Sequence, residues 1–369
     1  MLVFVGFTFY QVLGSPGPSP GETTVKKQIQ QKIIHKQYMI LGKASPTDMN
    51  LHPMHYKWAY DLYNQAVRNS WFPHEIPLGE DLADWRKMTE DEKHAVEFLM
   101  AFFNPAELII NRSLALGVYP YLKSPECHLY LAKQMFEEAN HCVSFEYVLE
   151  TFPLDRARVY EQHLEMQSMK DKEDFINKYL IRMTEDDLNI ESPEGKKDFL
   201  RNLVATNIVM EGTWFYSGFM VALSFRQRNQ LRNLGSMITW VLRDESLHLK
   251  FGIQLIHTVL EENPELLTAE FAEEIRKIII DGVSLEVNYN KDMFPKGILG
   301  LNADYVNQYV QYVADRRLEE LGLETHFNVT NPAKWMSTAT DVFELVNFFE
   351  AQNTSYEVDA HGHKNEEKK

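Results

Sequence analysis

From residue 56 onward the chain places apolar side chains three and four residues apart, the period of an amphipathic helix, and it almost nowhere alternates as a strand would. Residues 56–69 read as a first helix, ended by Ser70-Trp71-Phe72-Pro73, an extended approach to the bundle. Thr89 and Glu92 have the spacing of a capping box and open a long helix whose apolar stripe includes Met100, Phe103, Ile110 and Leu114. Ser124-Pro125-Glu126 puts proline at the first helical position of the next helix, which runs to about Thr151. A shorter helical region is expected over 155–184. Residues 198–224 are apolar at nearly every position, which implies burial on most sides. Further helices are expected over 227–262, 268–293 and 302–321. The fold class is all-α, a helical bundle over 51–330. Residues 1–50 carry no clear folding pattern and read as an irregular extension; from Asn331 the composition loosens into a polar tail over 331–369.

Four of these helices carry acids where an apolar residue is expected. Glu107 falls on the stripe of Phe103 and Ile110. Leu131, Met135, Glu138, His141 and Phe145 line one face of the following helix, and Glu211 sits among Trp214, Phe215 and Phe219. Glu245 and His248 repeat the Glu138/His141 spacing, and residues three apart on a helix point the same way. Spacing alone decides nothing, because 53 acidic residues and 13 histidines give roughly two such pairs by chance. A third pair, Asp91/His94, lies in an acidic first turn, where carboxylates suit the helix dipole. The joint pattern is the signal: four mid-helix glutamates on four helices, two with a histidine partner. Facing one another in a bundle, they would bind two metal ions, and two divalent cations would cancel the buried charge. Carboxylate and imidazole donors suit iron or manganese rather than a structural zinc.

Composition narrows the class. The 369 residues are 44% hydrophobic, normal for a sizeable core, and the formal charge of −16 argues against direct nucleic-acid binding. Cys127 and Cys142 are too few for a disulfide scaffold and read as reduced thiols of a cytoplasmic protein, with Cys142 a small buried apolar residue. The first thirteen residues are apolar, but they lack a basic n-region and are too short to span a membrane, so export is not expected. No membrane partner is expected from the rest of the chain. His361 and His363 read as part of a solvated tail.

The order Glu, Glu-x-x-His, Glu, Glu-x-x-His resembles the small (beta) subunit of class I ribonucleotide reductase over nearly the whole chain. The local contexts Phe136-Glu-Glu-Ala-Asn-His, Met210-Glu-Gly-Thr-Trp-Phe-Tyr, Leu242-Arg-Asp-Glu-Ser-Leu-His and Gly297-Ile-Leu-Gly-Leu resemble it too. The resemblance implies a homodimer of ferritin-like subunits that uses O2 to make a one-electron oxidant for a large (alpha) subunit, which reduces ribonucleotides. It implies Glu107, Glu138 and His141 as ligands of one metal, and Glu211, Glu245 and His248 as ligands of the other. It further implies Asp244 as the acceptor of the second His141 ring N–H, Trp71 as the start of an electron path, and Tyr356 as the hand-off residue in the tail.

Phe145 departs from the pattern, standing where most relatives carry the radical-storing tyrosine. The chain is therefore similar to the class Ic branch, in which a manganese/iron pair stores the oxidant as Mn(IV)/Fe(III). Mn/Mn and Fe/Fe pairs remain alternatives, because ligand type does not separate these metals. Trp240, Tyr147 and Tyr216 read as core aromatics, an auxiliary redox role being the alternative. The ending Asn-Glu-Glu-Lys-Lys differs from the hydrophobic-acidic docking peptide of relatives, which shifts the expected docking contact toward Tyr356 and Val358. The alternative function is a manganese/iron ligand-binding oxidase of the same fold; a ferritin-like storage protein fits less well, because the chain has too many helices.

Overall fold

Local side-chain chemistry starts most of the helices. The computed structural model describes residues 39–43 and 50–336, and those from Ile40 onward belong to one compact unit. Among the described residues nine helices of ten residues or more occur, labelled here α1 (Lys57–Arg68), α2 (Glu90–Arg112), α3 (Pro125–Thr151), α4 (Arg156–Glu165), α5 (Gln167–Met183), α6 (Pro193–Gln227), α7 (Arg232–Glu262), α8 (Ala269–Met293) and α9 (Ala303–Glu320). Thr89, Ser124, Asp155, Ser192, Thr268 and Asn302 each accept a backbone N–H from the first turn of their helix, which satisfies a donor that has no partner within the helix. The Thr89/Glu92 capping box is present in both directions. The only extended pairings among the described residues are two isolated bridges, Leu41 with Leu122 and Ile298 with Leu301. The expectations for residues 1–38, the tail from 337 onward, Tyr356, Val358, His361 and His363 lie outside the described residues.

α2 packs on α3 and α6 on α7, and α8 and α9 close over α6. Glycine permits the closest approaches. A Cβ on Gly218 would lie 2.5 Å from Phe103 Cζ and 2.7 Å from Leu99 Cδ1, so α2 could not seat against α6 with any larger residue there. α6 is long and apolar enough to cross a membrane, but its most apolar stretch is wholly buried inside the protein, as befits a central core helix.

The structure refines one expectation and corrects three. The 155–184 region is two helices, broken at Met166, where no proline or glycine stands. Tertiary partners set this break: α4 presents Tyr160 to Asn104 of α2 (2.8 Å), whereas α5 is tied to α8 by Ser168–Asp292 (2.6 Å) and Lys172–Glu286 (2.5 Å). α6 begins at Pro193 and widens into a π-helical stretch over Val204–Trp214, where Thr213 Oγ1 bonds the Ile208 carbonyl five residues back. α7 begins at Arg232 and not at 227, because Asn229 and Leu231 adopt positive φ (63° and 44°). Finally, Cys142 is half-buried and its thiol donates to Asn104 Oδ1 at 3.1 Å, so it is not a fully buried apolar residue.

Candidate metal centre

Glu107 on α2, Glu138 and His141 on α3, Glu211 in the π-helical stretch of α6, and Glu245 and His248 on α7 are all fully buried. The bundle brings their donor atoms into two overlapping groups, Glu107/Glu138/His141/Glu245 and Glu138/Glu211/His248, within each of which the ligand atoms lie within 4.8 Å of one another. His141 Nδ1 faces Glu107 (3.5 Å), Glu138 (3.8 Å) and Glu245 (3.2 Å). His248 Nδ1 faces Glu138 (3.1 Å) and Glu245 (3.2 Å). Glu138 and Glu245 thus each reach both imidazoles.

The cluster fits a pair of cations on its polar atoms. Both carboxylate oxygens of Glu107, Glu138 Oε2, Glu245 Oε1 and His141 Nδ1 are buried without a hydrogen-bond partner. Orphaned acceptors at that depth are costly unless a cation meets them. The protonation equilibria agree. Burial pushes the Glu107 and Glu211 carboxyls well above the usual range; for Glu211 the charges of Glu138 and Glu245 push the same way. Burial alone would lower His141 and His248, but the surrounding carboxylates outweigh it and hold both well above an ordinary imidazole. Glu138 goes the other way: its own burial is overcome by His248 and His141, and its carboxyl falls below the usual range. Metal-free, the site keeps protons that divalent ions would displace. The donors are oxygen and nitrogen only, and Cys142 points its thiol at Asn104 instead.

The two histidines are held by a reciprocal arrangement. His141 Nε2 lies 3.3 Å from Asp244 Oδ2, and His248 Nε2 lies 3.1 Å from Glu137 Oε2. Each acceptor immediately precedes the glutamate of the opposite pair, so an adjacent position on one helix orients the ligand of the other. Sequence reasoning singled out Asp244 and missed Glu137, although Glu137-Glu138 and Asp244-Glu245 carry the same acid-acid signal. It also missed Gln134, which donates to Glu138 (3.2 Å) and Glu211 (3.3 Å), and Asn207, which donates to Glu211 (2.8 Å). Lys133 Nζ steadies Glu137 at 2.8 Å. Replacing Glu137 by Gln should weaken metal binding about 10- to 100-fold while keeping two sites per chain. Titration with Mn(II) or Fe(II) checks this, and unchanged affinity would remove Glu137 from any orienting role.

Trp71 is buried and donates its indole N–H to Asp244 Oδ2 at 2.6 Å, with its ring 6.1 Å from that of His141 and nearly parallel to it. Trp240 meets Trp71 edge-on at 5.3 Å. Phe145 is fully buried and stacks on Phe103 at 5.0 Å. The structure does not bring every candidate to the centre. His94 turns to the Asp292 carbonyl (3.1 Å), and Tyr147 donates to the Ile76 carbonyl (3.2 Å). Tyr216 lies buried beneath the Arg317 guanidinium, 5.0 Å from its ring centre.

Comparison with known proteins agrees with this geometry. Residues 48–332 match the family described as "Ribonucleotide reductase, small chain". The chain is 38% identical over 320 residues to the ribonucleoside-diphosphate reductase subunit beta of Chlamydia pneumoniae, covering 86% of this chain and 92% of that one. The ribonucleotide reductase R2 subunit from Clostridium botulinum superposes with a TM-score of 0.74 at 27% identity, over 82% of this chain and 93% of that chain. The dimanganese(II)-NrdF of Streptococcus sanguinis shares the fold, with a TM-score of 0.67 at 20% identity over 76% of this chain and 93% of that one.

Proposed function

Because the chain belongs to the family of ribonucleotide reductase small chains, we propose that its buried centre holds a manganese/iron pair and keeps a one-electron oxidant on those metals, in the manner of the class Ic branch. Membership makes it the beta subunit of a ribonucleoside-diphosphate reductase, an oxidoreductase that works with a large subunit. The finer reading rests above all on Phe145: a fully buried ring, seven residues beyond Glu138, with no hydroxyl to lose. Glu107, Glu138 and His141 would hold one metal, and Glu211, Glu245 and His248 the other. When bound, the pair supplies O2 activation and the stored oxidant.

The surrounding residues shape what leaves the site. Removing an electron from the Trp71 indole makes its N–H acidic, and Asp244 Oδ2 at 2.6 Å is placed to take that proton and return it with the electron. Asp244 also contacts His141, so one carboxylate joins the indole to a metal ligand. Tyr356 would continue the path to the large subunit. The 51–330 bundle would carry the chemistry, the 331–369 tail the docking, and the setting would be cytoplasmic.

A homodimer is part of the same reading, supported by the outer face of α3. Ala132, Phe136, Ala139 and Val143 follow one another at spacings of four, three and four, and all are exposed. Phe72 extends the patch, in edge contact with Phe136 at 6.3 Å. Replacing Phe136 by Glu should give monomers in analytical ultracentrifugation at concentrations where the parent is dimeric, with metal content kept. A dimer of parental affinity would move the interface elsewhere.

The deciding experiment loads the chain with Mn(II) and Fe(II), exposes it to O2, and combines elemental analysis, EPR and nucleotide reduction with the cognate large subunit. One manganese and one iron per chain, activity and no tyrosyl signal are expected. Two manganese ions with full activity would overturn the metal pair and keep the function; a tyrosyl radical would overturn the argument from Phe145.

A further inference from the structure

Besides Trp71 and the buried Tyr130, a further oxidisable group stands on the helix that carries Glu211. Trp214 is fully buried one helical turn beyond Glu211 on α6. A run of ring contacts leads to it from Phe145: to Phe103 (5.0 Å), Phe215 (5.1 Å), Phe102 (6.1 Å) and Trp214 (6.3 Å). Tyr289 joins the run 5.3 Å from Phe102. Past Trp214, Phe175 (5.7 Å) and then the half-buried Tyr179 (5.4 Å) carry the run toward solvent. Phenylalanine rings resist oxidation, but tryptophan and tyrosine do not. An oxidant kept inside this bundle therefore has a second way out.

At that junction stands Lys172, itself almost wholly buried. Its ammonium lies 3.4 Å from the centre of the Phe102 ring, 4.0 Å from Tyr289 and 4.6 Å from Trp214. Glu286 accepts its proton bond at 2.5 Å and also accepts the Ser217 hydroxyl. Glu286 neutralises the pair, while the charge over the three ring faces is the ammonium's. Burial lowers the Lys172 pKa to about 8 against the pull of Glu286, which records the cost of placing a cation here. An apolar residue of the same volume would fill the space without that cost, so packing does not account for the lysine.

We propose that Lys172 is a positioning residue that confines the oxidant, its cation over the ring faces opposing the positive charge that Trp214 or Tyr289 would acquire on losing an electron. The inference rests on the stored-oxidant reading above, with any metal pair. The leak it blocks would move one electron from the indole to the oxidised centre and leave an indole radical cation. Proton placement opposes the same step. The Trp214 N–H donates to the Gly282 carbonyl (2.8 Å) and the Tyr289 hydroxyl to the Phe98 carbonyl (2.9 Å), and neither carbonyl is a base. Trp71 instead donates to the carboxylate of Asp244. The Trp71 indole can shed its proton to a carboxylate; the Trp214 indole has only a carbonyl for its proton and an ammonium over its face. Of the two tryptophans, only Trp71 has a carboxylate to take its proton.

The test compares the parent with the double variant Lys172→Met/Glu286→Gln, which removes both charges at similar volume, after loading with Mn(II) and Fe(II) and exposure to O2. The oxidised centre, followed without the large subunit by its visible absorption and by the growing EPR signal of its half-integer-spin, one-electron-reduced product, should decay roughly tenfold faster in the variant, the scale of a desolvated cation–π contact. An indole or phenoxyl radical should appear, and its splitting should change with ring-deuterated tryptophan or tyrosine. Adding Trp214→Phe and Tyr289→Phe should restore the parental lifetime. A lifetime within twofold of the parent, or a short one that those changes do not restore, would overturn the inference. Should the double variant not fold, Trp214→Phe in the otherwise intact chain decides: an unchanged lifetime is expected, and a longer one would mean that Trp214 already drains the centre. A parent that keeps no oxidised centre would remove the stored-oxidant reading and this inference with it, whereas a long-lived centre indifferent to Lys172 removes the inference alone.

Discussion

Glu138→Gln should give a folded chain that binds at most one metal ion and supports nucleotide reduction at least ~10³-fold more slowly than the parent, a loss of roughly 4 kcal/mol of transition-state stabilisation or more. Glu138 belongs to both groups of ligand atoms and faces both imidazoles, so its loss weakens both metals at once. The amide keeps the volume but gives up the charge that two cations need. It also removes the charged partner of His248 and His141, imidazoles that hold the Glu138 carboxyl below the usual range in the metal-free site. The metal-free variant should therefore melt somewhat below the metal-free parent yet keep its helical circular-dichroism spectrum, which separates lost ligation from misfolding. Calorimetric titration and elemental analysis read the stoichiometry, and two ions per chain at parental affinity would take Glu138 out of the ligand set.

Trp71→Phe should have an effect of similar size on turnover and none on metal loading. In the proposed relay the indole would link Asp244 to the path outward, and the N–H that it donates to Asp244 would be the proton transferred. A phenyl ring has no such proton and is far harder to oxidise, so nucleotide reduction should fall at least ~10³-fold, again roughly 4 kcal/mol. The oxidised centre should still form with the parental visible absorption, and mild chemical reduction by one electron should give the parental EPR signal. Activity within tenfold of the parent would sink the relay. The pair of outcomes is informative together: Glu138→Gln loses metal and activity, whereas Trp71→Phe loses activity alone.

Particular elements show where reading the chain succeeded. α2 and α3 begin at Thr89 and Ser124, whose caps are local and visible as short motifs. The start of α7 was misplaced because its cap is not local. Asp81 accepts the N–H groups of Asn233 (3.2 Å) and Leu234 (2.8 Å), and Asp84 accepts that of Leu231 (3.2 Å), from a turn far back in the chain. The break at Met166 has the same origin, since Asp292 and Glu286 on α8 hold α5 while α4 answers to α2. Cys142 was read as apolar because nothing near it in sequence announces Asn104 as its partner.

The sequence by itself determined the helical class and the six candidate ligand positions, because these depend on spacing along one helix, where covalent geometry sets which way each side chain points; the reading of Phe145 came from the family resemblance. Only the tertiary structure decided which acids meet which histidines. Glu138 faces His248 as well as His141, and Glu137 holds the histidine of α7 and not that of its own helix. The cation over Trp214 and the carboxylate beside Trp71 were equally beyond sequence reading. Each of these contacts joins helices distant in the chain, and their register is set by packing: by Gly218 admitting Phe103, by the wide turn of α6 around Glu211, and by caps supplied from elsewhere in the bundle. A helix repeats every few residues and announces its own faces; the face it meets is chosen by the whole core.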